Sequence, residues 1–260
     1  MKIGIIGGSG LERPDILKHE LQITRGNKWG RLQSPSRWGI ISDTEVIIIS
    51  RHGPDHSFSP SEVDYRVNIN HLKKEGCTHI IATSACGSLC QVIRPQHFVI
   101  PTQFIDFTKR RINTFYESFN HGAMHASLAD PFDQTLRLDL LRACKEVGVF
   151  VHDFATVATI EGPRFSTRAE SLMFKNLGCD IINMTTATEA ALAMEAGIPY
   201  AVVCMSTDYD SWKDDEPPVD WEMITAAMNK NAANVLNVIC RTIELMEARN
   251  AELESNIIRD

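Results

Sequence analysis

Four apolar runs in this chain each stop at a short stretch of Gly, Ser, Thr, Arg or His, and that pattern leaves few folds open. Ile3-Gly4-Ile5-Ile6 leads into Gly7-Gly8-Ser9-Gly10, and Val46-Ile47-Ile48-Ile49 into Ser50-Arg51-His52-Gly53. Ile80-Ile81-Ala82 leads into Thr83-Ser84-Ala85-Cys86-Gly87-Ser88, and Ile181-Ile182-Asn183-Met184 into Thr185-Thr186. Runs this short read as buried strands, and amphipathic segments stand between them. Helical spacing covers residues 68–75, 133–146, 168–177, 189–196 and 221 to about 249, and Gly76, Gly148, Gly178 and Gly197 stop the first four. Further strands are expected at 78–83, 98–100, 104–106, 154–160 and 200–205. No internal repeat or linker interrupts the alternation, so the expected class is one α/β domain.

The segments that end the strands carry the chemistry. They would bring backbone N–H groups, hydroxyls and the Arg51 guanidinium to the ends of buried strands, which is what an oxyanion needs. A fifth run, Tyr200 to Met205, ends differently, in Ser206-Thr207-Asp208-Tyr209-Asp210. One edge of the sheet then offers anion-binding loops and, at another point, a carboxylate pair. Such an edge is expected to be an active site.

Bulk properties narrow the partners. The chain has 260 residues, 43% of them hydrophobic, enough to bury a full core. A net charge of −7 argues against nucleic acid or an anionic membrane surface, both of which favour a basic face. No apolar stretch approaches the ~18 residues of a membrane span. Seven scattered cysteines suit a reducing cytoplasm better than a secreted disulfide framework. Met1-Lys2 leads straight into the first strand, with no signal-peptide pattern ahead of it.

Three other motifs have simpler readings. Gly8-Ser9-Gly10 is followed by Leu11-Glu12-Arg13 and lacks the third glycine of a dinucleotide fingerprint, so a tight strand-to-helix turn is expected. Cys86 and Cys90 have no matching pair that would complete a metal site. His52 and His56 have helical metal spacing, but Gly53 and Pro54 between them disfavour a helix.

Taken together, six blocks resemble the trimeric purine nucleoside phosphorylase and methylthioadenosine phosphorylase family. They are Gly7-Gly8-Ser9-Gly10-Leu11, Arg51-His52-Gly53, Thr83 to Leu89, Ile160-Glu161-Gly162-Pro163-Arg164-Phe165-Ser166, Asn183-Met184-Thr185-Thr186 and Thr207-Asp208-Tyr209-Asp210-Ser211-Trp212. They occur in the family's order between about residues 2 and 245. The resemblance implies a central mixed β-sheet, partly barrel-like and flanked by helices, over residues 1–250, with 251–260 a polar tail.

It also implies roles. Phosphate would sit among Ser9, Arg51, His52, Ser84, Ala85 and Thr185. Ser9 and Ser84 stand where the family often has Thr, and both keep the hydroxyl. Met184 would lie under the ribose, Phe165 and Ser166 would flank the base, and Tyr209 would share the substrate site with the two carboxylates. Val219, Trp221 and Ile224 would line the pocket for the nucleoside 5′ group, with His125 supplied by a neighbouring subunit of a homotrimer, or of a hexamer. The reaction would be phosphorolysis, with inorganic phosphate as co-substrate and no metal or other cofactor.

The carboxylates select among nucleosides. Asp208, kept protonated by burial and by Asp210, would donate a proton to N7 of the leaving purine. Asp210 would accept from an exocyclic amino group, which favours 6-amino over 6-oxo purines. Two alternatives are a phosphorylase of other specificity (methylthioinosine, adenosine, inosine or guanosine) and a non-catalytic nucleotide-binding module.

Overall fold

The computed structural model describes residues 1–8, 15–120 and 122–257. Ser9, expected in the phosphate site, lies outside the described residues. Among these residues eleven strands form one mixed sheet. At its centre β1 (Lys2–Gly7) pairs in parallel with β4 (Thr44–Ser50) on one side and β5 (His79–Ser88) on the other. Beyond β4 come β3 (Ser36–Ile41) and the edge strand β2 (Lys18–Ile23), both antiparallel.

The sheet forks at β5. One branch runs through β10 (Ile181–Asn183) and β9 (Thr156–Thr159) to β7 (Gln103–Asp106). The other runs through β11 (Tyr200–Asp208) to β6 (Phe98–Val99) and β8 (Val151–His152). Among the described strands no pairing joins the branches into a complete barrel.

The apolar runs are continuous because helices cover both faces of the sheet. Ile3, Ile5 and Ile48 pack with Leu136 and Leu140 of α2 (Gln134–Val147) and with Val235, Ile239 and Ile243 of α5 (Trp221–Ile257). Ile6, Ile47 and Ile49 point the other way, onto Ile69 and Leu72 of α1 (Tyr65–Lys74) and Ala190 and Ala193 of α4 (Thr186–Ala196). Each such fully buried side chain contributes about 1.5–3 kcal/mol of burial free energy. Polar caps set the helix ends. Asp133 accepts from Leu136 N–H at the start of α2, and Thr167 and Glu170 form a reciprocal capping box on α3 (Arg168–Asn176). Gly148 and Gly197 close α2 and α4 in the left-handed conformation.

Several boundaries differ from expectation for identifiable reasons. β5 does not stop at residue 83. Its small residues Ser84 to Gly87 pair with β11, and its last two pair with β10, so the expected loop is strand. α1 begins at Tyr65, three residues early, because Asp64 caps it. α4 starts at Thr186, directly after the Thr185 turn. β2 was not anticipated because KHELQI is polar and mostly exposed, with no apolar run to betray it. α5 continues to Ile257, so residues 251–257 are helical. No helix among the described residues is long and apolar enough to cross a membrane.

Candidate active site

A cavity of about 430 Å³ opens where the fork in the sheet leaves β5 uncovered. β1 pairs with β5 only as far as Ala82, and β10 begins at Gly87. Residues 83–86 therefore have no strand on that side, and the cavity fills the gap. Its volume falls within the ~300–1,000 Å³ of small-ligand pockets. Arg51, His52, Ser84, Ala85, Phe165, Ser166, Met184, Thr185, Asp208, Asp210, Val219, Trp221 and Ile224 all line it.

One end is built for an anion. Arg51 follows β4 directly and is 2% exposed. Its Nε and Nη2 donate to the two carboxylate oxygens of Glu189 at 2.5 and 2.8 Å, and Nη1 donates to the Thr83 carbonyl at 3.0 Å. Burial alone would weaken its charge, but Glu189 more than offsets this and holds the guanidinium above its ordinary pKa. Gly8 permits this packing, since a Cβ there would stand 2.6 Å from the Thr83 oxygen and 2.7 Å from Arg51 Nη1. Thr185, the N-cap of α4, makes no capping bond with its side chain, and its buried hydroxyl has no partner among the described residues. Ser84 Oγ accepts from Asn183 Nδ2 at 3.1 Å and donates to the Ala85 carbonyl at 2.9 Å. His52 is fixed by donating Nδ1–H to the Phe58 carbonyl at 2.8 Å.

The opposite end holds the carboxylates. Asp208 is the last residue of β11 and is 5% exposed. Its Oδ1 accepts the Asp210 backbone N–H at 2.7 Å, and its Oδ2 accepts the Thr207 hydroxyl at 2.6 Å. Both bonds favour the ionised form, yet burial outweighs them, and the neighbouring Asp210 charge adds to the effect. The Asp208 carboxyl is pushed up to about 6. Asp210 has φ of +48°, a left-handed conformation in which Asp is one of the commoner exceptions, and this returns its carboxylate toward the cavity. Burial also raises its pKa. The Ser171 and Ser166 hydroxyls lie near enough to favour its charge, but neither makes a well-aligned bond, and Asp210 Oδ2 has no partner among the described residues. Gly87 is what lets both acids approach β5. A Cβ there would stand 3.0 Å from Asp208 Oδ1 and 3.2 Å from the Asp210 Cβ.

Two expected residues stand apart from the cavity. Tyr209 follows the irregular end of β11 with φ −98° and ψ 20°, outside the extended region, and its side chain is turned away. Its hydroxyl reaches the Gln91 carbonyl, its ring meets Trp212 edge-on, and it is no part of the lining. His125 is exposed, packs edge-on against Phe119, and does not line the cavity of its own chain. The mouth carries a run of rings. His52 stacks on His56 at 4.6 Å, and His56 meets Trp221 at 4.9 Å. No cluster of three or more His, Cys, Asp or Glu side chains suits a metal ion among the described residues.

Sequence reasoning missed two supports. Glu189, in the first turn of α4, was read only as the start of a helix. It stands between Ala, Thr and Leu residues that are nearly all buried, and an acid in such a setting demands a buried cation. The second is Arg111, whose Nη1 donates to the Met184 carbonyl at 3.1 Å and to Tyr65 Oη at 2.7 Å. Its Nε donates to Glu161 at 3.0 Å, and Glu161 also accepts Ser61 Oγ and the Lys109 and Arg110 N–H groups. Those contacts hold the Glu161 carboxyl down at about 2 despite its partial burial.

Residues 2–244 match the phosphorylase superfamily. The chain is 43% identical over 246 residues to the S-methyl-5′-thioadenosine phosphorylase of Danio rerio, covering 94% of this chain and 88% of that protein. It is 43% identical over 252 residues to that of Xenopus tropicalis, covering 95% and 90%. The fold is similar to methylthioadenosine phosphorylase from Schistosoma mansoni in complex with adenine, with a TM-score of 0.91, 37% identity, and 95% and 92% of the two chains covered. A variant of the Schistosoma mansoni adenosine/methylthioadenosine phosphorylase in complex with methylthioadenosine superposes with a TM-score of 0.88, at 36% identity over the same shares. On this agreement of sequence and fold, the chain belongs to the phosphorylase superfamily and, within it, to the S-methyl-5′-thioadenosine phosphorylases.

Proposed function

We propose that this enzyme, a pentosyltransferase, catalyses the reversible phosphorolysis of 5′-methylthioadenosine to adenine and 5-methylthioribose 1-phosphate. The observation that carries the reading is a buried carboxyl held at about 6 in the same cavity as a buried arginine and an unpartnered threonine hydroxyl. Phosphate lies against Arg51, His52, Ser84, Ala85 and Thr185, and the ribose lies over Met184. The purine sits between Phe165 and Ser166, with N7 toward Asp208 and its amino group toward Asp210.

A phosphate oxygen attacks C1′ as the C1′–N9 bond breaks, and that bond's electron pair passes to the purine. Asp208 gives its proton to N7. The proton that phosphate loses on forming the ester restores Asp208 over the full cycle. Positive charge on the ribose in the transition state is stabilised by the adjacent phosphate dianion, which the cradle holds in place. Asp210, as an unsatisfied acceptor, matches the exocyclic N–H of adenine and repels a 6-oxo group. Val219, Trp221 and Ile224 form an apolar surround for the methylthio group, where a thioether meets an aromatic ring favourably.

The working assembly in this reading is a homotrimer in the cytoplasm. An exposed segment carrying Phe119, Met124 and Leu128 supports it, as does the fact that His125 does not line the cavity of its own chain. The seven unpaired cysteines suit a reducing compartment. Sedimentation velocity at assay concentration tests the assembly, and a fully active monomer refutes it. An ultraviolet assay on methylthioadenosine, methylthioinosine and inosine, with and without phosphate, tests the reaction. Phosphate-dependent cleavage of methylthioadenosine in clear preference to the other two is the expected result. Equal or faster cleavage of a 6-oxo nucleoside would overturn the specificity, and binding without turnover would make the chain a non-catalytic module.

A further inference from the structure

The strongest unassigned feature is the acid behind Arg51. Glu189 is 1% exposed, and both its oxygens are bound to a guanidinium that lines the cavity. Tyr200, also buried, donates its hydroxyl to Glu189 Oε2 at 2.9 Å, so the carboxylate is itself held in place. An arginine here without a counter-charge would be a mobile cation in an apolar setting, free to fold back onto any nearby carbonyl. Bidentate pairing removes that freedom, because a planar fork gripped at Nε and Nη2 can swing in no direction.

We infer that Glu189 is a positioning residue for phosphate: it orients the Arg51 fork and balances its charge, so the anion is met by aimed N–H groups and not by a free cation. The inference rests on the phosphorolysis reading for its substrate, but its physical content concerns anion binding alone. Glu189 faces Arg51 and Tyr200, is no part of the cavity wall, and acts only through the arginine. A site of this kind selects by geometry. It favours tetrahedral oxyanions that present several acceptor oxygens and gives little advantage to a halide of the same charge.

The test is a double-mutant cycle on Arg51 and Glu189, read as phosphate KM and nucleoside KM separately. Glu189→Gln should raise the phosphate KM by about tenfold or more, the worth of one charge-assisted hydrogen bond. At saturating phosphate the nucleoside KM should change less than about threefold. Glu189→Asp keeps the charge but withdraws it by one methylene, and it should show the same split if the Gln variant folds poorly. Combining Glu189→Gln with Arg51→Lys should add little to the phosphate KM of Arg51→Lys alone, since coupled residues are not additive. Equal loss in both KM values, or full additivity of the pair, would reduce Glu189 to a structural role. Phosphate, arsenate and chloride binding by calorimetry is independent of turnover, so it tests the same assignment even if wild type fails to cleave methylthioadenosine. Tighter or unchanged phosphate binding by Glu189→Asp would overturn the inference.

Discussion

At the phosphate end of the cavity the charged groups are matched inside the protein before any ligand arrives. All three guanidinium nitrogens of Arg51 have acceptors, and both oxygens of its Glu189 partner are bound. At the base end matching is incomplete. Asp210 Oδ2 is buried without a partner among the described residues, and Asp208 keeps a raised pKa despite two hydrogen bonds. On the proposed reaction, the contrast follows from what each end would have to do. A cradle for phosphate needs fixed directions, so its charges are locked. A proton donor needs an unfavourable charged form, so its carboxyl is kept short of compensation. Substitutions at the two ends should therefore differ in kind, and in the sign of their effect on stability.

The largest effect is expected at the base end. Asp208→Asn should lower turnover on methylthioadenosine by about two to four orders of magnitude, because Asn donates a hydrogen bond but transfers no proton. Steady-state kcat at saturating phosphate measures this, and residual activity should shift toward 6-oxo nucleosides. Next is Arg51→Ala, which strands a buried Glu189 and should cost about 3–5 kcal/mol of stability in denaturant unfolding. A loss under 1 kcal/mol would mean that the pair is not the locked unit described here.

The same assay on Asp208→Asn should show the opposite sign. A carboxyl whose folded pKa is about 6, against an ordinary 3.8, binds its proton more tightly in the folded state. Its contribution is fully present below the ordinary value and is lost as pH rises through the folded value. Ionised Asp208 therefore disfavours folding by about 3 kcal/mol above pH 6, and Asn should relieve much of that at pH 7–8 and little below pH 4. No stabilisation at pH 8 would break the comparison. The smallest change belongs to Asp210→Ala. Losing one acceptor should weaken discrimination between 6-amino and 6-oxo substrates by about tenfold, as a ratio of kcat/KM values, with turnover on methylthioadenosine largely kept.

Much of this was legible in the chain. The alternation of Ile5 and Ile6, or Ile47 and Ile48, onto opposite helical layers is what unbroken apolar runs imply, and glycines closed α2 and α4 where spacing stopped. Arg51 directly follows β4 and Asp208 ends β11, while Thr185 and Asp210 stand two residues past the ends of β10 and β11, so apolar runs ending in polar residues pointed to all four. What stayed hidden depends on distant pairings. Residues 84–88 read as a loop because small polar residues look like one, and only β11 and β10 beside them make them strand. Glu189 lies 138 residues from Arg51, so no local pattern could join them. The outward turn of Tyr209 is set by the left-handed backbone of Asp210 and by a slip of β11 against β5 between Ser206 and Asp208, neither of which residue type alone reveals.

The central claim is that the base end stores a proton on Asp208. Infrared difference spectroscopy of the carboxyl stretch, wild type minus Asp208→Asn across a pH series, measures it directly. The expected result is a protonated-carboxyl band that disappears with a midpoint of about 6. A midpoint at the ordinary 3.8 or below would contradict the account, because the protonated fraction available at pH 7 would then fall from about one in ten to below about one in a thousand.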